Sequence, residues 1–151
     1  MLKCEYTDGS NSDFVELCRL LDDNLDQLVG GAEQRKNYVQ YNTLENIHDV
    51  VLFYDEDKPC ACASFKHYEE GTAEMKRVFI RQEYRGKGVS KELIQAIEAL
   101  AREKGYRKMI LETGKPLIAA TKLYLRMGYQ IIDNYGQYKN MPLSICMSKE
   151  L

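Results

Sequence analysis

Two glycines separated by one residue, in the run Arg85-Gly86-Lys87-Gly88-Val89-Ser90, are the clearest chemical signal in this chain. Neither carries a Cβ, so the backbone there can approach a ligand closely. The run stands between a strand-like stretch and an amphipathic helix whose first N–H groups have no partner within the helix. Those donors and the positive end of the helix dipole converge on one spot. The chemistry this allows is anion capture, above all of a phosphate or pyrophosphate. Two phosphate loops fail the spacing. A P-loop requires Gly, four residues, then Gly-Lys-Ser/Thr, but here Lys87 lies between the glycines and Val89 follows. A dinucleotide fingerprint requires a third glycine three residues after Gly88, where Lys91 stands, and an acid about 20 residues on. An ordinary loop before a helix is the plain alternative, since glycine is common in loops.

The elements around the run follow from periodicity. A short strand over 1–6 precedes a helix from Ser12, in which Phe14, Val15, Leu17, Cys18, Leu20, Leu21, Leu25, Leu28 and Val29 recur at helical spacing. Gly30-Gly31 ends that helix, and a second short helix is expected within 32–46. Three strands over 48–54, 60–67 and 72–80 are joined by the turns Asp55-Glu56-Asp57-Lys58-Pro59 and Glu69-Glu70-Gly71, so an antiparallel meander is expected. After the glycine run, Val89, Leu93, Ile94, Ala96, Ile97, Leu100 and Ala101 form one apolar stripe that ends at Gly105. A strand over 108–113 should lie parallel to the one before the helix. Pro116 opens a further helix to Met127, at a position proline tolerates. Strands over 129–133 and 143–147 flank a polar, tyrosine-containing loop at 134–142.

Composition sets bounds. The 151 residues suit one domain, 1–151, able to bury most of its apolar surface. A formal charge of −2 gives no global pull toward nucleic acid or acidic membrane. Positive charge is local: Lys76, Arg77, Arg81, Arg85, Lys87 and Lys91 surround the glycine run, which favours a phosphate-rich ligand. No apolar window is long enough to span a bilayer, and the first residues lack the pattern of a signal peptide. Five cysteines form no Cys-x-x-Cys pair, so no metal is expected. Cys60 and Cys62 should share one strand face, and Cys4, Cys18 and Cys146 should be buried small hydrophobes. The chain reads as cytoplasmic.

Three segments together resemble the GCN5-related N-acetyltransferase (GNAT) superfamily. They are Ala73-Glu74-Met75-Lys76-Arg77-Val78-Phe79-Ile80, Tyr84-Arg85-Gly86-Lys87-Gly88-Val89-Ser90 and Leu123-Tyr124-Leu125-Arg126-Met127-Gly128-Tyr129. The family loop reads Gln/Arg-x-x-Gly-x-Gly/Ala; Arg85 and Gly88 fit, and Ser90 departs by one small residue. The resemblance covers roughly residues 70–130. It implies an α/β (α+β) fold with a mixed, mostly antiparallel sheet of six to seven strands and flanking helices.

It also implies acetyl-CoA as donor and a primary amine, of a small molecule or amino acid, as acceptor. Main-chain groups of Arg85, Gly86, Lys87, Gly88, Val89, Ser90 and Lys91 would bind the coenzyme's pyrophosphate. Backbone groups of Val78, Phe79 and Ile80 would pair with pantetheine, the Val78 N–H donating to the thioester oxygen. Tyr124 matches the family tyrosine that protonates the departing thiolate. A phenol near pKa 10 is a weaker acid than a thiol near 8.5, which points to a hydrogen-bond donor or late proton source. The amine must lose a proton, and Glu74 or Glu112 could take it, directly or through water. Glu74 is slightly favoured; either could instead pair with Lys76, Arg77 or Lys108. Where many members carry Asn, seven residues before the tyrosine, this chain has Leu117, so that contact is lost or replaced.

Alternatives are an enzyme acting on a protein N-terminus or lysine, a non-catalytic acyl-CoA sensor and, from the basic cluster alone, a nucleic-acid binder. Acceptor choice falls to residues 10–50 and to the 134–142 loop. Asp22, Asp23, Asp26, Glu33 and Glu45 could attract a cationic amine or form a solvated face. A homodimer is expected only by analogy.

Overall fold

A computed structural model describes residues 2–28 and 43–151. Strand β1 (Lys3–Thr7) leads to helix α1 (Ser12–Leu28), which begins where Asn11 Oδ1 accepts the N–H groups of Asp13 and Phe14 at 2.9 and 3.1 Å. Strands β2 (Asp49–Asp55), β3 (Lys58–Glu69) and β4 (Thr72–Ile80) form the expected antiparallel meander. Helix α2 (Val89–Glu103), β5 (Lys108–Gly114), helix α3 (Ile118–Arg126), β6 (Gln130–Ile132) and β7 (Ser144–Glu150) complete the chain. The expected end of α1 at Gly30-Gly31, and most of the second helix expected within 32–46, lie outside the described residues.

One seven-stranded sheet has the order β1-β2-β3-β4-β5-β7-β6. Its single parallel pair is β4 with β5, because α2 must carry the chain back across the sheet before β5 can start. Helix α1 covers one face: Phe14, Leu17, Cys18 and Leu21 pack on Val50, Leu52, Cys62 and Phe79. Helices α2 and α3 cover the other, where Leu93, Ile94 and Ile97 meet Val51, Ala61, Ala63 and Phe65. Strand β2 is covered on both sides, so Val50-Val51-Leu52-Phe53 is an unbroken apolar run instead of an alternating one.

Three sequence expectations change. Cys60 and Cys62 lie on opposite faces: the pairing steps from Phe53↔Ala61 to Tyr54↔Pro59, so Cys60 is an extra bulged residue and the alternation breaks there. Cys4 is exposed on edge strand β1 and is no core residue. Pro116 lies in a turn before α3. The Leu117 N–H is bonded to the Gly114 carbonyl at 2.9 Å, and helical bonding starts when Thr121 N–H reaches the Leu117 carbonyl.

Candidate active site

The glycine run is built as an open backbone turn. Gly86 and Gly88 have φ of +76° and +81°, a conformation that L side chains rarely adopt. A Cβ at either would meet no atom within 4 Å, so conformation and not crowding demands glycine. Gly88 immediately precedes α2, and no side chain caps that helix end. Its first amides are thus left for something else. Arg85 stiffens the turn by donating from Nε to the Ile80 carbonyl at 2.8 Å, with its guanidinium 5.6 Å from the Phe79 ring centre.

Arg85, Gly86 and Ser90 open onto a cleft of about 700 Å³. The cleft exists because β4 and β5 pair only through Thr72–Glu74 and Lys108–Ile110 and then part. Beyond that point β5 follows β7 along its whole length, while β4 stays with β3. Val78, Phe79 and Ile80 line one wall; Leu111, Glu112 and Thr113 the other; Leu117, Ala120, Leu123 and Tyr124 of α3 close the side beneath.

A bulge in β4 aims this wall. Ser64 pairs with Lys76 and Cys62 with Phe79, so Arg77 and Val78 both face Ala63. Arg77 has φ +56°, a strained value for a non-glycine residue. Neighbours hold it: Ser64 Oγ donates to the Lys76 carbonyl at 2.6 Å, Cys62 Sγ to the Arg77 carbonyl at 3.2 Å, and the Arg77 guanidinium pairs with Asp22 at 2.7 Å. The extra residue reverses the side-chain alternation. Glu74 and Lys76 therefore lie opposite the α2 face to which Ala73 and Met75 belong, whereas Val78 and Ile80 pack toward that face.

Three charged groups form a row on this α1-side face: Glu74 and Lys76 on β4, and Glu112 on β5. Glu112 lines the cleft, and Ser144 Oγ donates to its Oε2 at 2.8 Å. Burial pushes its carboxyl up to about 7; Ser144 and the Lys76 charge oppose that rise and Glu74 adds to it. Glu74 does not line the cleft; it is 2% exposed, and the Tyr135 hydroxyl donates to its Oε2 at 2.7 Å. Tyr124 lies at the cleft in α3, its ring edge-on to Tyr129 at 5.8 Å, and burial pushes its phenol up, so it stays protonated.

Of the loop residues expected to bind anion, Lys87, Gly88, Val89 and Lys91 are not on the cleft wall. Val89 is buried in the core, and the Lys87 ammonium stands 6.0 Å from the Tyr84 ring centre. Lys91 lines a separate polar hollow with Gln95, Glu98, Arg102 and Arg126. Lys76 and Arg77, neighbours of the loop in sequence, are not part of a solvated basic patch: one is buried beside Tyr138, the other is tied to Asp22. Sequence reasoning missed Tyr135, Tyr138 and Ser144 as members of the site. The only available signal was the tyrosine content of the 134–142 loop. Among the described residues no group of His, Cys, Asp and Glu could hold a metal ion, and no helix is long and apolar enough to cross a membrane.

Comparison with known proteins bears on the family and the fold. The profile of the acetyltransferase (GNAT) family matches residues 14–129. The uncharacterized N-acetyltransferase YsnE of Bacillus subtilis is 30% identical over 100 residues, covering 65% of this chain and 66% of that protein. This chain spans about half to two thirds of the length of the first curated relatives it matches. A crystal structure from Klebsiella pneumoniae, assigned to the acyl-CoA N-acyltransferases, superposes with TM-score 0.80 at 29% identity, over 100% of this chain and 98% of that one. A GNAT-family acetyltransferase from Elizabethkingia anophelis with acetyl-CoA bound shares the fold at TM-score 0.71 and 18% identity, over 99% and 98% of the two chains.

Proposed function

The chain belongs to the GNAT family of acetyltransferases, and on that premise we propose that it moves an acetyl group from acetyl-CoA directly to a primary amine of a small molecule. The observation that carries this reading is the cleft between the parted strands, with an open helix start at one end and Glu112 and Tyr124 facing its interior. The donor fits the residues present. Main-chain N–H groups at the start of α2 suit a pyrophosphate, and the free edge of β4 at Val78, Phe79 and Ile80 suits the amide groups of pantetheine. Leu117 offers that arm an apolar contact in place of the amide of many family members.

The amine's lone pair attacks the thioester carbonyl, forming the N–C bond while the oxygen gains charge. The Val78 N–H, on the bulged stretch, is the donor to that oxygen; removing one such donor costs about 2.7–4 kcal/mol in other enzymes. The C–S bond then breaks, and the thiolate leaves beside the protonated Tyr124 hydroxyl. Glu112 takes the proton from the amine. It is preferred over Glu74 because it lines the cleft and titrates near working pH, whereas Glu74 is engaged by Tyr135. Leu21, Leu25 and Leu143 line the same cleft as Glu112, which suits a small amine with an apolar body.

The test is thiol release from acetyl-CoA with a panel of alkyl and aryl amines, amino acids and amino-terminal peptides, followed over pH. A small amine should support turnover with an acidic limb near pH 7, lost in Glu112→Gln and kept in Glu74→Gln. Turnover confined to peptides would overturn the small-molecule acceptor. Acetyl-CoA binding with no thiol release across the panel would instead favour a non-catalytic binder.

A further inference from the structure

The transfer just described leaves a buried charge at the cleft without a role. Lys76 lines the cleft from β4, 8% exposed, in the same row as Glu74 and Glu112. Lysine carries a strongly hydrated ammonium and is almost never enclosed unless paired. Enclosing it needs a reason.

That reason lies in the segment from Tyr135 to Ser144, which reaches back over the row and bonds to each member. The Tyr135 hydroxyl donates to Glu74, the Lys76 ammonium donates to the Tyr138 hydroxyl oxygen at 3.2 Å, and Ser144 donates to Glu112. Tyr138 is itself immobilised. It is 1% exposed, its ring is edge-on to Tyr135 at 5.7 Å, and Asn134 Nδ2 donates to the carbonyls of Tyr138 and Met141. The ammonium is therefore held by Tyr138 and attracted by two carboxylates that project from separate strands.

Charged and polar groups from two strands and the covering segment act on Glu112. They are Lys76 and Glu74 from β4, Tyr138 from the covering segment, and Ser144 and Cys146 from β7. Lys76 alone among them is cationic. Lys66 and Arg77 repel Lys76, and Glu74 and Glu112 attract it.

We propose that Lys76, held by Tyr138, is a positioning residue for acetyl transfer, its ammonium being the fixed counter-charge that keeps Glu112 available as proton acceptor in the cleft. This rests on the reading of Glu112 as the base. Physically, a carboxylate whose burial disfavours charge needs an opposite charge nearby to ionise within the working range of pH. Lys76 supplies that charge, and Tyr138 keeps the ammonium from turning out to solvent. Burial presses Lys76 toward its neutral form, and the two carboxylates oppose this.

The test is carbon-13 NMR titration of protein labelled at glutamate side-chain carboxyls, with the Glu112 signal assigned by its loss in Glu112→Gln. It needs no acceptor. Glu112 should titrate near pH 7 in the unaltered protein. Lys76→Met should raise this by about one pH unit, a tenfold gain in proton affinity. Lys76→Arg keeps a cation and should shift it far less, and Tyr138→Phe should give an intermediate upward shift. An unmoved Glu112 signal in Lys76→Met overturns the proposal. If that variant does not fold, an unmoved signal in Tyr138→Phe overturns it. With an amine that turns over, the acidic limb of kcat/KM should move with the signal. A moved signal with a stationary limb overturns Glu112 as the base and leaves acetyl transfer itself standing.

Discussion

The two ends of the cleft are built by opposite means. At the proposed donor end, recognition falls to main-chain groups of one continuous stretch, Arg85 to Ser90, and two glycines set its shape through φ alone. Around the proposed acceptor end, Glu74, Lys76, Glu112, Tyr135, Tyr138 and Ser144 come from two strands, a loop and the start of a third strand, and every one is tied to another by a side-chain hydrogen bond or its charge. A backbone site tolerates varied side chains as long as the dihedral angles survive. A side-chain site depends on how distant segments pack. The donor end can thus stay constant while the acceptor end is rebuilt.

The largest effect expected from this contrast is on the chemical step. Glu112→Gln should lower kcat by about 10²–10⁴-fold while leaving acetyl-CoA affinity within about twofold, measured by steady-state rates and titration calorimetry. A comparable loss of affinity would mean that the two ends are not separable. Gly88→Val makes the complementary cut. It forces a β-branched residue into a left-handed conformation worth about 1–3 kcal/mol of strain, so acetyl-CoA affinity should fall by about ten- to a hundredfold, with Glu112 still titrating near pH 7.

A third effect concerns stability. The Glu112 carboxyl is raised in the folded state to about 7, above its ordinary value, so the unfolded chain releases that proton first. Folding stability should therefore fall as pH rises from about 4.5 to 7 on this group's account. Glu112→Gln should be more stable than the unaltered protein at pH 8 by about 3 kcal/mol, with the gap closing by pH 4, as read by urea unfolding. A variant less stable at pH 8 would show that the acceptor end carries no such strain. The smallest effect should follow Asp22→Ala, which removes an ion-pair partner of Arg77 at the bulge. Asp22 is itself substantially exposed, so stability should drop by only about 1 kcal/mol, with little change in acetyl-CoA affinity.

Much of the donor end was legible because its signals are local. The glycine spacing, the stripe from Val89 to Ala101 and the Leu123–Tyr129 segment each lie within one element, where periodicity is dictated by the helix or turn itself. Local rules failed where a single extra residue intervened. The bulge at Cys60 split two cysteines that alternation placed together, and the bulge at Arg77 put Lys76 on the opposite sheet face from Val78 and Ile80. The slight preference for Glu74 over Glu112 rested on position within a strand, whereas in the structure Tyr135 engages Glu74 and Ser144 bonds Glu112 at the cleft, contacts that strand position does not specify.

The sequence by itself determined the order of elements, the meander, the parallel return through α2 and a glycine turn suited to an anion. These depend on dihedral preferences and on apolar spacing within about ten residues. Only the tertiary structure decided that β4 and β5 part after three paired residues, and that Tyr135 covers Glu74 while Glu112 faces the cleft. It also decided that a lysine is enclosed in the same row, bonded to Tyr138. Those outcomes turn on contacts between segments some 30 to 60 residues apart, where burial and the neighbouring charges, and not residue type, set what each group can do.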